Sequence, residues 1–382
     1  MRVLHVIGSL DMRYGGPIRA ALDLSTVGEK HGVIREFLCV GDARAKNSFR
    51  NEGFIHCIVK TTPGGYGYTP LVRKWLDENV ERFDGVILHG IWEHVLLVTA
   101  RACNRHGVPY SIFPHGMLEP WSIERQGRWK HLKKSIYWQI AARKTFEQAS
   151  NILFTTGREM QQAKLVFQFE WPRTVVAPYG VPVPTTAEDD SSGMVPELEG
   201  KKFLLFLGRV HPHKHIPLLV EAWARSLKDS DWKLVIAGPS AGDHRAQVED
   251  LVKKLGVADQ CMFIDFVSGM QKEWLFRHAQ WFALPSEHEN FGIAAAEALV
   301  RGCPVILSDQ VYSGEKLEPL GRILPLTEDA WVEFFANHLR DARYRDTVIE
   351  SDRKMQQSFR LSNIGVEWAN LVRSMFPERV RQ

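Results

Sequence analysis

The sequence predicts an α/β fold made of two doubly wound parallel domains. Three observations carry that prediction. Short apolar runs alternate with helix-like segments from residue 3 to residue 307, which is the signature of repeated βαβ units. Most of these runs end in Gly, Pro, His or small polar residues, as strands do at the carboxyl edge where open α/β sheets bind ligands. Residues 181–200, VPVPTTAEDDSSGMVPELEG, are rich in Pro, Ser and acids and lack periodicity. They read as a linker between two blocks of ordinary domain size.

In the first block, Val3 to Ile7 is a strand and residues 8–16 form a glycine-bearing loop. Pro17 suits the first turn of a helix reaching about His31. Ile34 to Val40, Phe54 to Val59, Val86 to Leu88, Tyr110 to Phe113, Ile152 to Phe154 and Thr174 to Ala177 are apolar runs of strand length. In the second block, strands are expected at Phe203 to Leu207, Lys233 to Ala237, Met262 to Ile264, Trp281 to Leu284 and Pro304 to Leu307. Helices are expected at His215 to Leu227, Ala241 to Leu255, Met270 to Ala279 and Phe291 to Arg301. Beyond Leu326 the chain reads as helices only. The last, from about Asn363 to Met375, repeats Ile364, Trp368, Leu371 and Val372 at helical spacing. The expected organisation is a first domain over 1–180, a linker over 181–200, a second domain over 201–360 and a terminal helix within 361–382.

Composition narrows the function. The 382 residues are 45% hydrophobic and 24% charged, with a formal net charge of +3. That balance implies no large polyanion, hence no nucleic-acid partner. Five scattered cysteines without a C-x-x-C point to a reducing compartment and no zinc site. MRVLHVIGSL is too short an apolar run for a signal peptide, and no apolar stretch is long enough to span a membrane. A cytoplasmic protein is therefore expected. The chain has no G-x-x-x-x-G-K-[ST] and no G-x-G-x-x-G with an acidic partner, which argues against a kinase and a dehydrogenase.

The chemistry centres on Trp281 to Asp309, WFALPSEHENFGIAAAEALVRGCPVILSD, which reads as strand, loop, helix and strand. The loop and the helix start lie at the carboxyl edge of the sheet. Backbone N–H groups around Asn290, Phe291, Gly292 and Ile293 suit an anion. Glu289 and Glu297 flank the same spot, and carboxylates accept hydrogen bonds from sugar hydroxyls. A ligand carrying both phosphates and hydroxyls is the natural fit. Gly208-Arg209-Val210-His211-Pro212-His213-Lys214 is the second motif, set between a strand and a helix. Gly208 permits a tight turn. Arg209 and Lys214 offer a fork and a point charge to a pyrophosphate. The third is Gly15-Gly16-Pro17, where glycines allow a phosphate to approach the backbone.

Pro285-Ser286, Glu289-x-Phe291-Gly292, Glu297-Ala298 and Gly302-x-Pro304-Val305 together resemble the Glu-x7-Glu signature of retaining family 4 glycosyltransferases. The resemblance implies the GT-B fold: two Rossmann-like domains facing a central cleft, with a C-terminal helix crossing back to the first. It implies that Arg209 and Lys214 bind the donor diphosphate, that Glu297 holds the ribose and that Glu289 holds the donor sugar. It aligns His115 with a donor-facing histidine, His89 with one on the acceptor side, and Gly15 and Gly16 with a phosphate loop. The family carries Gly after the Lys, where this chain has His215. The triplet Asp229-Ser230-Asp231 precedes a strand, at the amino edge, and reads as a solvated turn.

The function so implied is transfer of a sugar from a UDP- or GDP-linked donor to a hydroxyl acceptor, with retention and without cofactor or metal. The acceptor would be a carbohydrate or a lipid-linked sugar, as in cell-surface polysaccharide or glycolipid synthesis. The alternatives are a GT-B epimerase or phosphorylase, and a non-catalytic sugar-nucleotide-binding subunit. Residues 125–144 carry Arg125, Arg128, Lys130, Lys133, Lys134, Arg143 and Lys144 and no acid, interleaved with Trp129, Leu132, Ile136, Tyr137 and Ile140. Such a helix suits either peripheral contact with an anionic membrane face or packing of its aromatics on the sheet.

Overall fold

A computed structural model of the chain describes residues 1–10, 16–41, 54–59, 66–119, 128–177, 179–183, 193–240, 242–317 and 322–376. The chain divides into two units, Met1–Gly180 with Leu361–Gln382, and Val181–Arg360.

The first unit holds β1 (Arg2–Ile7), β2 (Ile34–Gly41), β3 (Ile55–Val59), β4 (Gly85–His89), β5 (Tyr110–Phe113), β6 (Asn151–Phe154) and β7 (Arg173–Val176). All pair in parallel, in the order β3-β2-β1-β4-β5-β6-β7. Parallel strands covered on both faces need apolar residues at every position, which is why they were readable as continuous runs. On one face Leu4, Val6, Leu38, Val86 and Leu88 join the larger core. On the other, Ile7, Phe37 and Cys39 meet Ile18 and Ala21 of α1 (Gly16–Glu29). The remaining helices are α2 (Leu71–Asn79), α3 (His94–His106), α4 (Arg128–Tyr137), α5 (Arg143–Glu147) and α6 (Gly157–Val166), with a π-helical turn at Trp138–Ala142 between α4 and α5.

The second unit holds β8 (Phe203–Leu207), β9 (Lys233–Ala237), β10 (Cys261–Ile264), β11 (Trp281–Leu284), β12 (Val305–Ser308) and β13 (Ile323–Leu324), again all parallel. Their order is β10-β9-β8-β11-β12-β13. Its helices are α7 (Ile216–Leu227), α8 (His244–Leu255), α9 (Gly269–His278), α10 (Ile293–Val300), α11 (Glu328–Asn337) and α12 (Ala342–Phe359). Strand β13 is absent from the sequence reading, because two residues make no recognisable apolar run. Behind it, the buried Arg322 guanidinium grips Asp352, with Nη1 donating to Oδ2 at 2.6 Å.

The last helix, α13 (Leu361–Met375), belongs to the first unit and packs on α1. The two helices approach closely at Gly365, where a Cβ would lie 3.2 Å from the Val27 Cβ. Trp368 is 1% exposed there, and Arg373 donates to the His31 carbonyl.

Candidate active site

In each unit the strand order reverses beside the first strand, between β1 and β4 and between β8 and β11. Connections leave such a switch point in opposite directions, so a crevice opens at its carboxyl end. In the second unit the two loops at that point are the Arg209–Lys214 loop and the Glu289 loop.

These loops are tied together directly. The Glu287 N–H donates to the His213 carbonyl at 2.9 Å. Lys214 Nζ donates to Glu289 Oε2, and both side chains are about three-quarters buried. Glu289 is also fixed from its other side, since its N–H donates to the Gln310 carbonyl at 3.2 Å and its carbonyl accepts from Tyr312 N–H at 2.9 Å. Arg209 is exposed on the same loop as Lys214. The structure thus pairs Lys214 with Glu289 at the switch point and leaves Arg209 exposed on the same loop.

Two loop details differ from the sequence reading. The turn there is assigned to Gly208, yet Gly208 is not left-handed. A Cβ on Gly208 would meet only ordinary contact, 3.5 Å from Phe206 Cζ; the position that admits no side chain is Gly238, where a Cβ would sit on the Gly208 carbonyl oxygen. The left-handed residue is His215, at φ 51° and ψ 35°. It holds the conformation that glycine adopts without strain, so the loop keeps its course after Lys214 despite the substitution. The helix expected from Phe291 starts at Ile293 instead, because Gly292 at φ 67° caps it. A Cβ on Gly292 would lie 3.1 Å from Val311 Cγ1. The N–H groups of that first turn have no earlier helical carbonyl to bond. Asn290 lies in the loop just before Phe291, which is buried.

Glu297 lies within α10 and is buried, and Lys272 Nζ of α9 donates to its Oε1 at 2.7 Å. Sequence reasoning missed Lys272, since nothing local links residues 25 apart. It also missed Glu287, whose carboxylate faces His213 and His215 at 3.7 Å and 3.5 Å. Asp229 and Asp231 are exposed in the turn between α7 and β9.

In the first unit the switch point joins the end of β1 to the loop after β4. Gly15 lies outside the described residues, and Gly16 is the first residue of α1. His115 follows β5 at φ 51° and Gly116 follows at φ 78°. This left-handed pair, strained at His115 alone, is clamped by Glu159, 1% exposed, which accepts from Gly116 N–H at 2.7 Å and Thr155 N–H at 2.8 Å. Burial pushes the Glu159 carboxyl above its usual range, against the pull of those bonds. His89 is 4% exposed, with His5 on one ring nitrogen and His115 on the other. Burial lowers its pKa to about 3.

A further residue at this edge escaped the sequence reading. Glu93 stands at the N-cap of α3 but does not cap that helix. Its carboxylate turns to the Gly8 N–H, so close that a Cβ on Gly8 would lie 1.4 Å from Glu93 Oε2. Burial pushes its pKa up to about 7, and strongly shifted carboxyls concentrate at functional sites. A lone Glu before a helix gives no sequence signal for this.

Comparison with known proteins agrees with the geometry. The model "Glycosyl transferase 4-like domain" matches residues 15–180, and "Glycosyl transferases group 1" matches residues 189–318. An uncharacterised glycosyltransferase of Methanocaldococcus jannaschii is 33% identical over 177 residues, 45% of each chain. The D-inositol 3-phosphate glycosyltransferase of Kineococcus radiotolerans is 29% identical over 181 residues, 44% of this chain and 41% of its own. The matched stretches thus span less than half the length of these relatives. Anabaena HepE, solved in complex with UDP and glucose, superposes with a TM-score of 0.77 at 17% identity, over 98% of this chain and 100% of that one. WaaG, a glycosyltransferase involved in lipopolysaccharide biosynthesis, superposes with a TM-score of 0.72 at 16% identity, over 97% of this chain and 99% of its own. At such identities the superpositions speak for the fold, which is GT-B. With one family model on each unit and that fold along nearly the whole chain, the protein belongs to the family 4-type GT-B glycosyltransferases.

Proposed function

We propose that the chain transfers a sugar from a nucleoside diphosphate sugar to a hydroxyl acceptor, with retention at the anomeric carbon and without a metal. The observation that carries this reading is the Lys214–Glu289 ion pair at the β8/β11 switch point, with Arg209 exposed on the same loop as Lys214. As the bond from the anomeric carbon to the diphosphate breaks, negative charge grows on the phosphate oxygens. Arg209 and Lys214 would offset it from fixed positions, which is the form of electrostatic stabilisation that accelerates a reaction. Glu289 would hold the sugar hydroxyls and favour an oxocarbenium-like transition state. Glu297, anchored by Lys272, would accept from the ribose hydroxyls. HepE was solved with UDP and glucose, which supports a UDP-linked donor ahead of a GDP-linked one.

The test is release of nucleoside diphosphate from a panel of UDP- and GDP-sugars without acceptor. A transferase hydrolyses its matching donor slowly. An epimerase or phosphorylase gives other products, and a non-catalytic subunit gives none. Arg209→Ala or Lys214→Ala should cut turnover by roughly 10² to 10³, the scale for losing one preorganised charge-stabilising group. A folded variant with near-normal turnover would rule out the assigned role.

We also propose peripheral contact with an anionic membrane through the α4 segment, which would bring a lipid-linked acceptor to the first unit. Leu132, Ile136 and Ile140 are 49%, 49% and 76% exposed, and their four-residue spacing puts them in one line along the helix. Exposed Lys133, Arg143 and Lys144 accompany them, while Tyr137 and Trp138 turn inward. Arg125 lies outside the described residues. Among the described residues no helix is long and apolar enough to cross a membrane. Each cation near the surface would add about 1 kcal/mol. Sedimentation with phosphatidylserine vesicles at low salt, lost on Lys133→Glu with Ile140→Ser, is expected. No vesicle binding at low salt would direct the reading to a soluble carbohydrate acceptor.

A further inference from the structure

Three histidines lie on a diagonal across the sheet of the first unit. His5 is in the middle of β1, and Ile7, two residues on, is the register partner of His89. His89 is in turn the register partner of Phe113, and His115 lies two residues beyond it. Each step crosses one strand and advances two residues. The two-residue period of a strand keeps His5 and His89 on one face, and His115, left-handed beyond the end of β5, meets His89 there. His5 Nδ1 is 3.0 Å from His89 Nε2, and His89 Nδ1 is 2.9 Å from His115 Nε2. The ring centres are 5.3 Å and 5.2 Å apart, with planes inclined by 17° and 15°. Nitrogens so close with centres so far apart mean rings laid edge to edge in one ribbon. That in-plane geometry is what an imidazole N–H···N bond requires. Phe37 lies 5.0 Å from the His5 ring and Phe113 stacks 4.1 Å from His115.

Burial holds all three rings below the usual imidazole range, so each carries a single ring proton at neutral pH. Each bond needs one donor and one acceptor. If the His89 proton is on Nδ1, it donates to His115 Nε2, and His89 Nε2 must accept from His5 Nδ1–H. The His115 proton is then on Nδ1. If the His89 proton is on Nε2, both bonds reverse and His115 Nδ1 carries a lone pair. No mixed arrangement satisfies both bonds.

We infer that His5 and His89 are positioning residues for His115: the three rings share one tautomer, which fixes whether His115 Nδ1 offers a ligand hydroxyl a proton or a lone pair. The inference rests on the reading of His115 as facing the sugar nucleotide. The proton position at the site edge is thus coupled to a ring buried two rings away, in a strand that otherwise serves the core. The clamp of Glu159 on Gly116 prevents the His115 backbone from relaxing out of the array.

Long-range proton–nitrogen correlation spectra of the 15N-histidine-labelled protein report the tautomer of each ring. His5, His89 and His115 should be neutral and in the same tautomer, and two different tautomers among them would overturn the inference. His5→Phe keeps a ring beside Phe37 and removes both nitrogens. It should move the His115 nitrogen shifts and lower kcat for donor hydrolysis by about 10- to 100-fold, the usual cost of deleting a group that orients a functional histidine. KM should change little. His5→Asn, which restores a donor and an acceptor near the place of Nδ1, should recover most of the loss. Unchanged His115 shifts with full kcat in folded His5→Phe would also overturn the inference. If that variant fails to fold, the tautomers of the unaltered protein decide it. Full activity in His115→Ala would instead refute the donor-facing reading of His115, and would end the positioning role while leaving the shared tautomer to the spectra.

Discussion

Glu93→Gln should change how stability depends on pH, in a direction the structure dictates. Burial moves the Glu93 pKa from 4.5 to about 7. The folded protein therefore holds that proton more tightly than the unfolded chain does. Below about pH 4.5 both states are protonated and the group costs nothing. Between about 4.5 and 7 the unfolded state loses its proton first, so stability falls as pH rises; above about 7 the cost is constant. One pKa unit corresponds to about 1.4 kcal/mol, and with some allowance for partial exposure the full cost is roughly 2 to 3 kcal/mol. Glutamine mimics the protonated form and does not titrate. The variant should match the parent near pH 4.5 and exceed it by that amount at pH 8. Urea unfolding of both proteins at half-unit pH steps isolates this group, because every other titration cancels in the difference. A difference that stays flat from pH 4.5 to 7, or a variant less stable at pH 8, would refute the argument. It would mean that Glu93 is ionised and satisfied by more than the Gly8 N–H.

Three further outcomes can be checked. Glu297→Ala should weaken binding of the bare nucleoside diphosphate by about 1.5 to 3 kcal/mol, the worth of hydrogen bonds to a charged group, whereas Glu289→Ala should chiefly lower turnover; calorimetry giving equal losses would reverse the assignment. His215→Gly removes a left-handed cost of roughly 1 to 2 kcal/mol and adds about 0.5 to 1 kcal/mol of unfolded-state entropy. It should leave stability unchanged or raise it by up to about 1.5 kcal/mol while activity persists, and a clear fall in Tm would contradict the strain. Arg322→Leu removes the guanidinium that pairs the buried Asp352 carboxylate and should cost about 3 to 5 kcal/mol, with much of the loss restored by adding Asp352→Leu; denaturant unfolding of the single and double variants decides this.

The legible parts of the fold were those with a local cause. Buried parallel strands such as Phe203–Leu207 and Trp281–Leu284 fell where apolar runs predicted them, because such strands need no polar face. The loops after β8 and β11 were legible because glycine and paired charges concentrate there. What escaped was non-local. Lys272 reaches Glu297 from another helix, and Glu93 owes its raised pKa to burial in a fold that sets it against Gly8, in a different strand's loop. His5 sits in RVLHVI and reads as a core position until the register sets it diagonally to His89. In the basic helix, spacing alone cannot say which face turns inward. Tyr137 and Trp138 do, and they leave Leu132, Ile136 and Ile140 outside.

The pairing of α13 with α1 makes the second unit an insertion within the first. The chain leaves the first unit at Gly180 and returns at Leu361, and the two crossings run side by side, with Val181 N–H donating to the Phe359 carbonyl at 2.9 Å. A ribosome therefore delivers every strand of the first sheet early, yet the helix that covers α1 emerges only after the whole second unit. Until then Val27, Gly28 and the seat of Trp368 stay uncovered, and a nascent chain carries an apolar surface for the time taken to make about two hundred residues, tens of seconds at ordinary elongation rates. The second unit, 181–360, is continuous and can close on its own in that interval. Lesions near the C-terminus would accordingly injure the first-made half of the protein rather than the last.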